Sequence, residues 1–553
     1  MDGRNAGGAA GGAPQKCIAV LDIGTTAVKA CLFSPALRLL ACSVREYALT
    51  ACGERVEAKA GLYLDAARMG MAEALAAAPG WTPAAVSVAT QGETLVPVDG
   101  AGTPLCPFLV WLDGRAGTEA EALRSRLPEE IFYRTTGLPG ISGALPLAKL
   151  LWLRKNAPEL FSRARKFLLL EDYFLHWMTG RFITEKSLQT STGWFDLRRG
   201  AYWAAALDAA GVPPEKLPEP LECGEAAGPL LLDAAAALGL PAGIPVVTGA
   251  MDQTAAALAA GGVSPGTVTE TTGTALVMAA CTDAPVFARG HRVTIYRHAL
   301  AGKYLYLPIG NTAGMALRWF RDEFCRDLPA GARGYAALDT LAQAVPCGCE
   351  GLVFLPFLSG SVDPDACENA RAAFFGARLS TTRAHFVRSV MESVAFLLRD
   401  FLEMLDALGC PADAVYSLGG GARSAVWQQI KADVCGRAFH VPVCGEATAM
   451  GAALLAGWGC GLIERNTFPR MERSAVYSPN AENALACRKA YALYKRLYAA
   501  VRPLYHTPQA DAAESAGSKE ARQELKTPEN TVQRPAPAAR EPANKTEQES
   551  VCL

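Results

Sequence analysis

Two short segments half a chain apart constrain the architecture of this protein more than any other feature. LDIGTTAVKA (21–30) and TETTGTALVM (269–278) can be laid over one another without gaps, so that Asp22 faces Glu270, Thr26 faces Thr274 and Ala27 faces Ala275. Each is an acidic-ended apolar strand that enters a Gly/Thr turn and leaves as a second strand. A unit repeated at that distance predicts two similar lobes, 16–250 and 251–506. Within the first lobe, apolar runs of strand length occur at 16–22, 27–33 and 39–47, readable as a meander. Residues 84–90 and 94–102 read as a further strand pair with an Asp-Gly turn, and 61–78 and 146–165 carry helical spacing. The second lobe ends in a helix over about 481–502, with Leu485, Tyr491, Tyr494, Leu497 and Tyr498 mostly on one face. The chain is therefore a mixed α/β protein.

Composition removes several classes. With 553 residues, 50% hydrophobic and a formal net charge of -1, the chain has ample core-forming sequence and no clustered basic face for nucleic acid. Its 17 cysteines form no framework, and Cys347 and Cys349 lack a second pair at zinc spacing, which predicts reduced thiols. The N-terminus lacks a signal-type apolar segment, and no apolar run reaches the roughly 18 residues of a membrane span. The expectation is a soluble, cytoplasmic protein. Residues 1–15, rich in Gly and Ala, and the polar tail 507–553 have too little apolar surface to offset ordering entropy, so both are expected to be disordered.

Chemistry concentrates at four places. The turn Asp22-Ile23-Gly24-Thr25-Thr26 aims backbone N–H groups and hydroxyls in one direction, as an anion site requires, and Asp22 can hold Mg²⁺ through water. Thr271-Thr272-Gly273-Thr274 offers the same groups from the other half. Gly419-Gly420-Gly421, between a strand (AVYSL) and a helix beginning at Ser424, removes the Cβ atoms that would keep a flat base from the backbone. The small-residue helix start at Glu446–Ala453 is suited to packing beneath such a pocket. Asp252 follows the buried run IPVVTG, at the strand end where α/β proteins place their reactive groups. Each has a plainer reading: an ordinary hairpin, a tight connection, a helix N-cap. No GxxxxGK[ST] occurs, so a phosphate site here is of another kind.

These elements in this order resemble the FGGY family of carbohydrate kinases, of the actin-like ATPase superfamily. The likeness runs from about residue 16 to 500 and includes DIGTT (22–26), QGE (91–93), WLDGR (111–115), KLLWLRKNAP (149–158), GAMDQ (249–253), TTGTA (271–275) and AGMALRWFRD (313–322). It implies two actin-like (ribonuclease H-like) lobes flanking a nucleotide cleft. It implies a kinase that uses ATP and Mg²⁺ to phosphorylate a small sugar or polyol, with Asp252 as general base and Asp22 and Asp252 at the metal. By the same likeness Gly24, Thr25, Thr26, Gly273, Thr274, Gly314, Gly420, Gly421 and Ser424 hold the nucleotide, and Gln91, Glu93, Asp113, Arg115 and Gln253 hold the substrate. Homodimers are common among similar proteins; a nucleic-acid or membrane partner is not implied. Glycerol kinases carry Gln-Arg-Glu where this chain has Gln91-Gly92-Glu93, and xylulokinases a Met-His pair that is absent here. Gly92 is expected to leave room for a substrate longer than three carbons. Xylulokinase-like and glycerol kinase-like activities, and a non-catalytic actin-like nucleotide-binding role, are the alternatives.

Overall fold

The computed structural model of the chain describes residues 15–287, 292–329, 331–443, 446–468 and 473–505. The expected disorder of 1–15 and 507–553 falls outside the described residues, except that Gln15 already begins a strand.

Strands β1 (Gln15–Ile23), β2 (Ala27–Phe33) and β3 (Leu39–Glu46) form the expected antiparallel meander. On the other side of β1, β4 (Trp81–Thr90) runs parallel to it; β5 (Ala226–Pro229) and β6 (Pro245–Met251) complete the order β5-β6-β4-β1-β2-β3. Both faces of β1 are covered, which is why its sequence reads as an unbroken apolar run rather than an alternation. Cys17, Ala19, Leu21 and Ile23 pack with Tyr63, Ala67 and Met71 of helix α1 (Ala60–Ala77), while Ile18 and Val20 face the opposite layer. Helix α2 (Asp252–Ala259) follows β6 directly.

The second sheet repeats this plan. Strands β7 (Thr267–Thr272), β8 (Leu276–Thr282), β9 (Thr294–Arg297), β10 (Tyr304–Leu307), β11 (Ala414–Leu418), β12 (Phe439–Pro442) and β13 (Arg473–Tyr477) run in the order β9-β10-β8-β7-β11-β12-β13. β7, β8 and β10 are antiparallel like β1, β2 and β3; β11 and β12 are parallel like β4 and β6; β13 is antiparallel like β5. The long helix Arg383–Ala407 packs against this sheet together with α3 (Gly314–Phe324), α4 (Ala332–Gln343), α5 (Ala425–Cys435) and the closing α7 (Ala484–Tyr505), whereas α6 (Ala447–Gly459), which follows β12 in the chain, lies elsewhere.

Several expectations are corrected. The two hairpins do not superpose without a gap: Ile23↔Val28 encloses residues 24–27, whereas Thr272↔Leu276 encloses 273–275. Matching Gly24 to Gly273 puts Thr271, not Glu270, at the place of Asp22. Glu270 is fully buried and paired with Lys431 at 2.7 Å. Residues 84–90 and 94–102 do not pair with each other. β4 takes parallel partners on both sides; Glu93, at φ 64°, then turns the chain out of the sheet. Leu95–Val98 joins Phe108–Leu109 and Lys166–Leu169 in a separate sheet. Helix α6 packs on α2 and on β1, β4 and β6 rather than beneath the Gly419–Gly421 turn, with Gly451 so close that a Cβ there would lie 2.0 Å from Ala255 O. Helix α7 buries Cys487, Tyr491, Tyr494 and Leu497 but leaves Leu485 exposed. Its docking brings Cys487 within 6.1 Å (Cα–Cα) of Cys347, and the two form a disulfide where reduced thiols were expected.

Candidate active site

Asp252 is positioned by a defect in the parallel ladder. β6 pairs with β4 through Thr248↔Val88 and resumes only at Met251↔Thr90, so one extra residue bulges out just before the acid. Gly249 is required there, because a Cβ would stand 1.9 Å from Val88 O. The amides released by the bulge turn inward to buried carboxylates. Gly249 N–H donates to Glu171 Oε1 at 3.1 Å; Met251 N–H donates to Glu185 Oε1 and Ser187 Oγ, both at 3.2 Å. Asp252 is the first residue of α2 rather than its N-cap, which is Met251. The Gln253 N–H reaches Asp252 Oδ1 at 2.6 Å, and Thr448 Oγ1 of α6 donates to the Asp252 carbonyl at 3.4 Å. Burial pushes the Asp252 carboxyl up to about 6, hydrogen bonding from Gln253 opposes this, and Glu93 adds to it.

Asp22 lies at the end of β1 and is nearly buried. Burial raises its carboxyl to about 7; Lys29, 3.8 Å away, works against the shift, while Asp252 and Glu446 reinforce it. Lys29 is also paired with Glu446, at 2.6 Å. Asp22 and Asp252 thus repel one another inside a largely desolvated pocket, a donor pair that a divalent cation would relieve.

The first turn is braced from two sides. Gly24 N–H closes it onto Ala27 O at 3.0 Å, Tyr47 N–H donates to Thr26 O at 2.9 Å, and the Tyr47 hydroxyl donates to Gly24 O. Trp111 Nε1 donates to Thr25 Oγ1 at 2.9 Å, and Thr25 Oγ1 donates to Gln91 Oε1 at 2.8 Å. Gln91 therefore spends its carbonyl on the turn. The Thr26 side chain is exposed.

Glu93 lies near enough to Asp252 for its charge to act on that carboxyl. Burial raises the Glu93 carboxyl, countered by Lys149 and by the Tyr296 hydroxyl, 3.4 Å from Oε1. Tyr296 comes from β9, so the second sheet reaches into a site otherwise built by the first. Lys149 is fully buried and donates to Val110 O at 2.7 Å and Glu93 O at 3.4 Å; burial pulls its ammonium down. The 111–115 pair is arranged differently from its expected role. Asp113 is fully buried, and its oxygens accept from Val56 N, Arg115 N and the Arg115 guanidinium. Arg115 spends its remaining reach on Glu57 at 2.5 Å and lies over the Trp152 ring. The room expected at Gly92 is already filled: a Cβ would stand 3.1 Å from Ser191 Oγ and 3.3 Å from Met251 Sδ.

A cavity of about 610 Å³ brings together Gly273, Thr274, Gly314, Gly420, Gly421 and Ser424, a volume in the range of small-molecule sites. Met315, Tyr335, Ala336 and Trp427 supply apolar wall. Gly314 and Gly421 permit the close approach of its three segments: a Cβ on Gly314 would be 2.4 Å from Gly273 O, and one on Gly421 2.6 Å from Thr272 Cβ. The Ser424 hydroxyl caps α5 by accepting from Trp427 N at 3.0 Å and donates to Asp339 Oδ1 at 2.8 Å. Burial raises the Asp339 carboxyl. Asp339, Tyr296, Glu171 and Glu185 also belong to the site, and their segments carry no signal in the sequence. Lys149 does carry one: it is a lone lysine inside the otherwise uncharged run Pro146–Leu151.

Residues 17–259 match the N-terminal domain, and residues 268–460 the C-terminal domain, of the FGGY family of carbohydrate kinases. The chain is 28% identical to a gluconokinase of Bacillus subtilis over 68% of its own length and 75% of the relative's. It is 29% identical to a xylulose kinase of Escherichia coli over 76% and 85%. Its fold is similar to the crystal structure of xylulose kinase from Rhodospirillum rubrum, with a TM-score of 0.81 at 30% identity, covering 89% of this chain and 100% of that one.

Proposed function

The chain belongs to the FGGY family of carbohydrate kinases, with its two-lobed actin-like fold, and from that premise we infer that Asp252 takes the proton of the hydroxyl this enzyme phosphorylates. The reaction is ATP-dependent phosphorylation of a sugar. The substrate oxygen bonds to the γ-phosphorus, the bond to the β–γ bridging oxygen breaks as ADP leaves, and the proton passes to an Asp252 oxygen. Because the transition state is loose, the proton leaves late and a carboxylate suffices as base. The bulge at Gly249 carries this reading: it turns a strand end out of its ladder and holds the next carboxylate in a desolvated pocket. A carboxyl raised to about 6 is a better base than a free one and still ionised at neutral pH.

We assign the 610 Å³ cavity to the adenosine end of ATP, with the base against Tyr335 and Trp427 and Asp339 as acceptor for a ribose hydroxyl. Gly24, Thr25, Gly273 and Thr274 supply the phosphate turns. Asp22 and Asp252 would hold Mg²⁺ through water, and the ion would neutralise charge on the phosphates. Asp113 and Arg115 hold their loop rather than the substrate, and the hydroxyl-binding groups are Glu93, Gln253 and Tyr296.

We further propose that the substrate is a neutral ketose or polyol rather than an aldonate. The site presents three carboxylates, Asp22, Glu93 and Asp252, and the two lysines acting on them are engaged: Lys149 by carbonyls, Lys29 by Glu446. A substrate carboxylate would meet repulsion that neither lysine is free to offset. Among the described residues no helix is long and apolar enough to cross a membrane; we place the enzyme in the cytoplasm, as an ATP consumer, and expect a homodimer by light scattering.

The test is a coupled ADP-release screen over pentuloses, hexuloses, polyols and aldonates beside Asp252→Asn. A neutral substrate should exceed the aldonate of equal length at least about tenfold in kcat/KM, the scale of one unfavourable charge contact. Preference for an aldonate overturns the charge argument alone. Full turnover by Asp252→Asn removes the base assignment.

A further inference from the structure

At the edge of the first sheet, β2 and β3 place Cys31 and Cys42 directly opposite each other. Their sulfurs are 3.1 Å apart, so an approach of about 1 Å would reach the S–S bond length of roughly 2.05 Å. The two thiols differ in surroundings: Cys31 is buried against the layer that contains Ala449 and Ala453 of α6, whereas Cys42 is exposed on the edge strand. Exposure on one side and a protonated partner in contact on the other is the arrangement of an attacking thiol beside a resolving one. We propose that Cys31 and Cys42 form a hydroperoxide-sensitive dithiol that closes to a cross-strand disulfide.

The chemistry balances with a hydroperoxide as oxidant. The Cys42 thiolate attacks the O–O bond, taking one oxygen as sulfenic acid and releasing hydroxide or alkoxide. The Cys31 sulfur then attacks Cys42 sulfur; the S–S bond forms, and the oxygen leaves as water with the Cys31 proton. Electrostatics support this order. The hydrogen bond donated by Cys31 holds the Cys42 thiol below its ordinary value; burial, Glu446 and Asp22 oppose this, and Lys29 assists. Cys31 is pushed up, chiefly by that same hydrogen bond and by burial. The ladder carrying the pair has Lys29 two residues away on the same strand and runs on from β3 to Tyr47, which braces Gly24 and Thr26. A disulfide there would fasten the two strands that support the first phosphate turn.

The experiment treats the reduced full-length chain with hydrogen peroxide and maps peptides by mass spectrometry. A 31–42 disulfide should form, mapped separately from Cys347–Cys487. In Cys31→Ser the resolving step is blocked, and dimedone should trap a sulfenic acid at Cys42 at least about tenfold faster than at Cys52, which is also exposed. Cys31→Ala, lacking a donor, should slow the trapping at Cys42. Equal labelling of Cys42 and Cys52, or oxidation of other cysteines without a 31–42 bond, overturns the proposal.

Discussion

Glu185 Oε1 accepts the backbone N–H of Met251, the residue before Asp252, at 3.2 Å. The same carboxylate accepts from Ser187 N–H, Ser187 Oγ, Leu188 N–H and Cys223 Sγ, so one buried side chain ties the bulge of β6 to the short helix Lys186–Gln189. Replacing it with glutamine puts an amide donor among donors. Glu185→Gln should therefore let the strand end shift, lowering kcat roughly 10- to 100-fold, as expected for a small displacement of a reacting group. Steady-state kinetics should show the ATP KM little changed. A KM effect with unchanged kcat would refute the positioning role.

Asp252→Asn keeps size and removes the proton acceptor. We expect kcat to fall by about 10²–10⁴, the usual contribution of a general base, with metal-free ATP binding by calorimetry within about threefold of wild type.

The raised carboxyls give pH a defined effect. The acid limb of kcat/KM should lie near the Asp252 value of about 6, because below it the base is protonated. Glu93 raises that value through its charge, so Glu93→Gln should move the limb to lower pH. For stability the sign is reversed from that of a salt-bridged acid. Asp22 and Asp252, raised to about 7 and 6, favour folding when protonated. Their contribution is fully present below the ordinary carboxylate range and is lost as pH rises through 6 to 7. In metal-free buffer, Asp22→Asn should therefore raise Tm at pH 8 and leave it unchanged at pH 4; a fall in Tm at pH 8 would contradict the burial argument.

What the sequence disclosed follows from what is local. β1 and β2 were legible because their apolar runs and the Gly24 turn are contiguous, and Ser424 was legible because its cap lies at the start of its own helix. The repeat was visible, but its one-residue offset was not, since Asp22 and Glu270 look alike until Lys431, 161 positions from Glu270, is seen to claim the second. Tyr296 was hidden for the same reason: its partner Glu93 is 203 residues away. Gly92 misled because a missing side chain reads as space, whereas Ser191 and Met251 fill it.

Tyr296 gives a substrate-side prediction. Its hydroxyl is a donor to Glu93 from the other sheet, and removing it costs about 1 kcal/mol of orienting hydrogen bond. Tyr296→Phe should raise the sugar KM about fivefold with the ATP KM unchanged.

The glycines of the cavity separate ligand from fold. A Cβ on Gly421 would meet Thr272 Cβ at 2.6 Å, so Gly421→Ala should lose about 1–3 kcal/mol of stability through overpacking as well as nucleotide affinity. A Cβ on Gly420 meets no protein atom within 4 Å, yet Gly420 lines the same cavity. Gly420→Ala should therefore leave Tm within about 1 °C, a surface-like change. Its ATP KM should nevertheless rise, by about tenfold, because the methyl occupies space the nucleotide needs. Thermal melts with and without MgATP measure both quantities on one sample. If Gly420→Ala binds ATP as tightly as wild type, the nucleotide does not lie against this turn, and the assignment of the cavity fails with it.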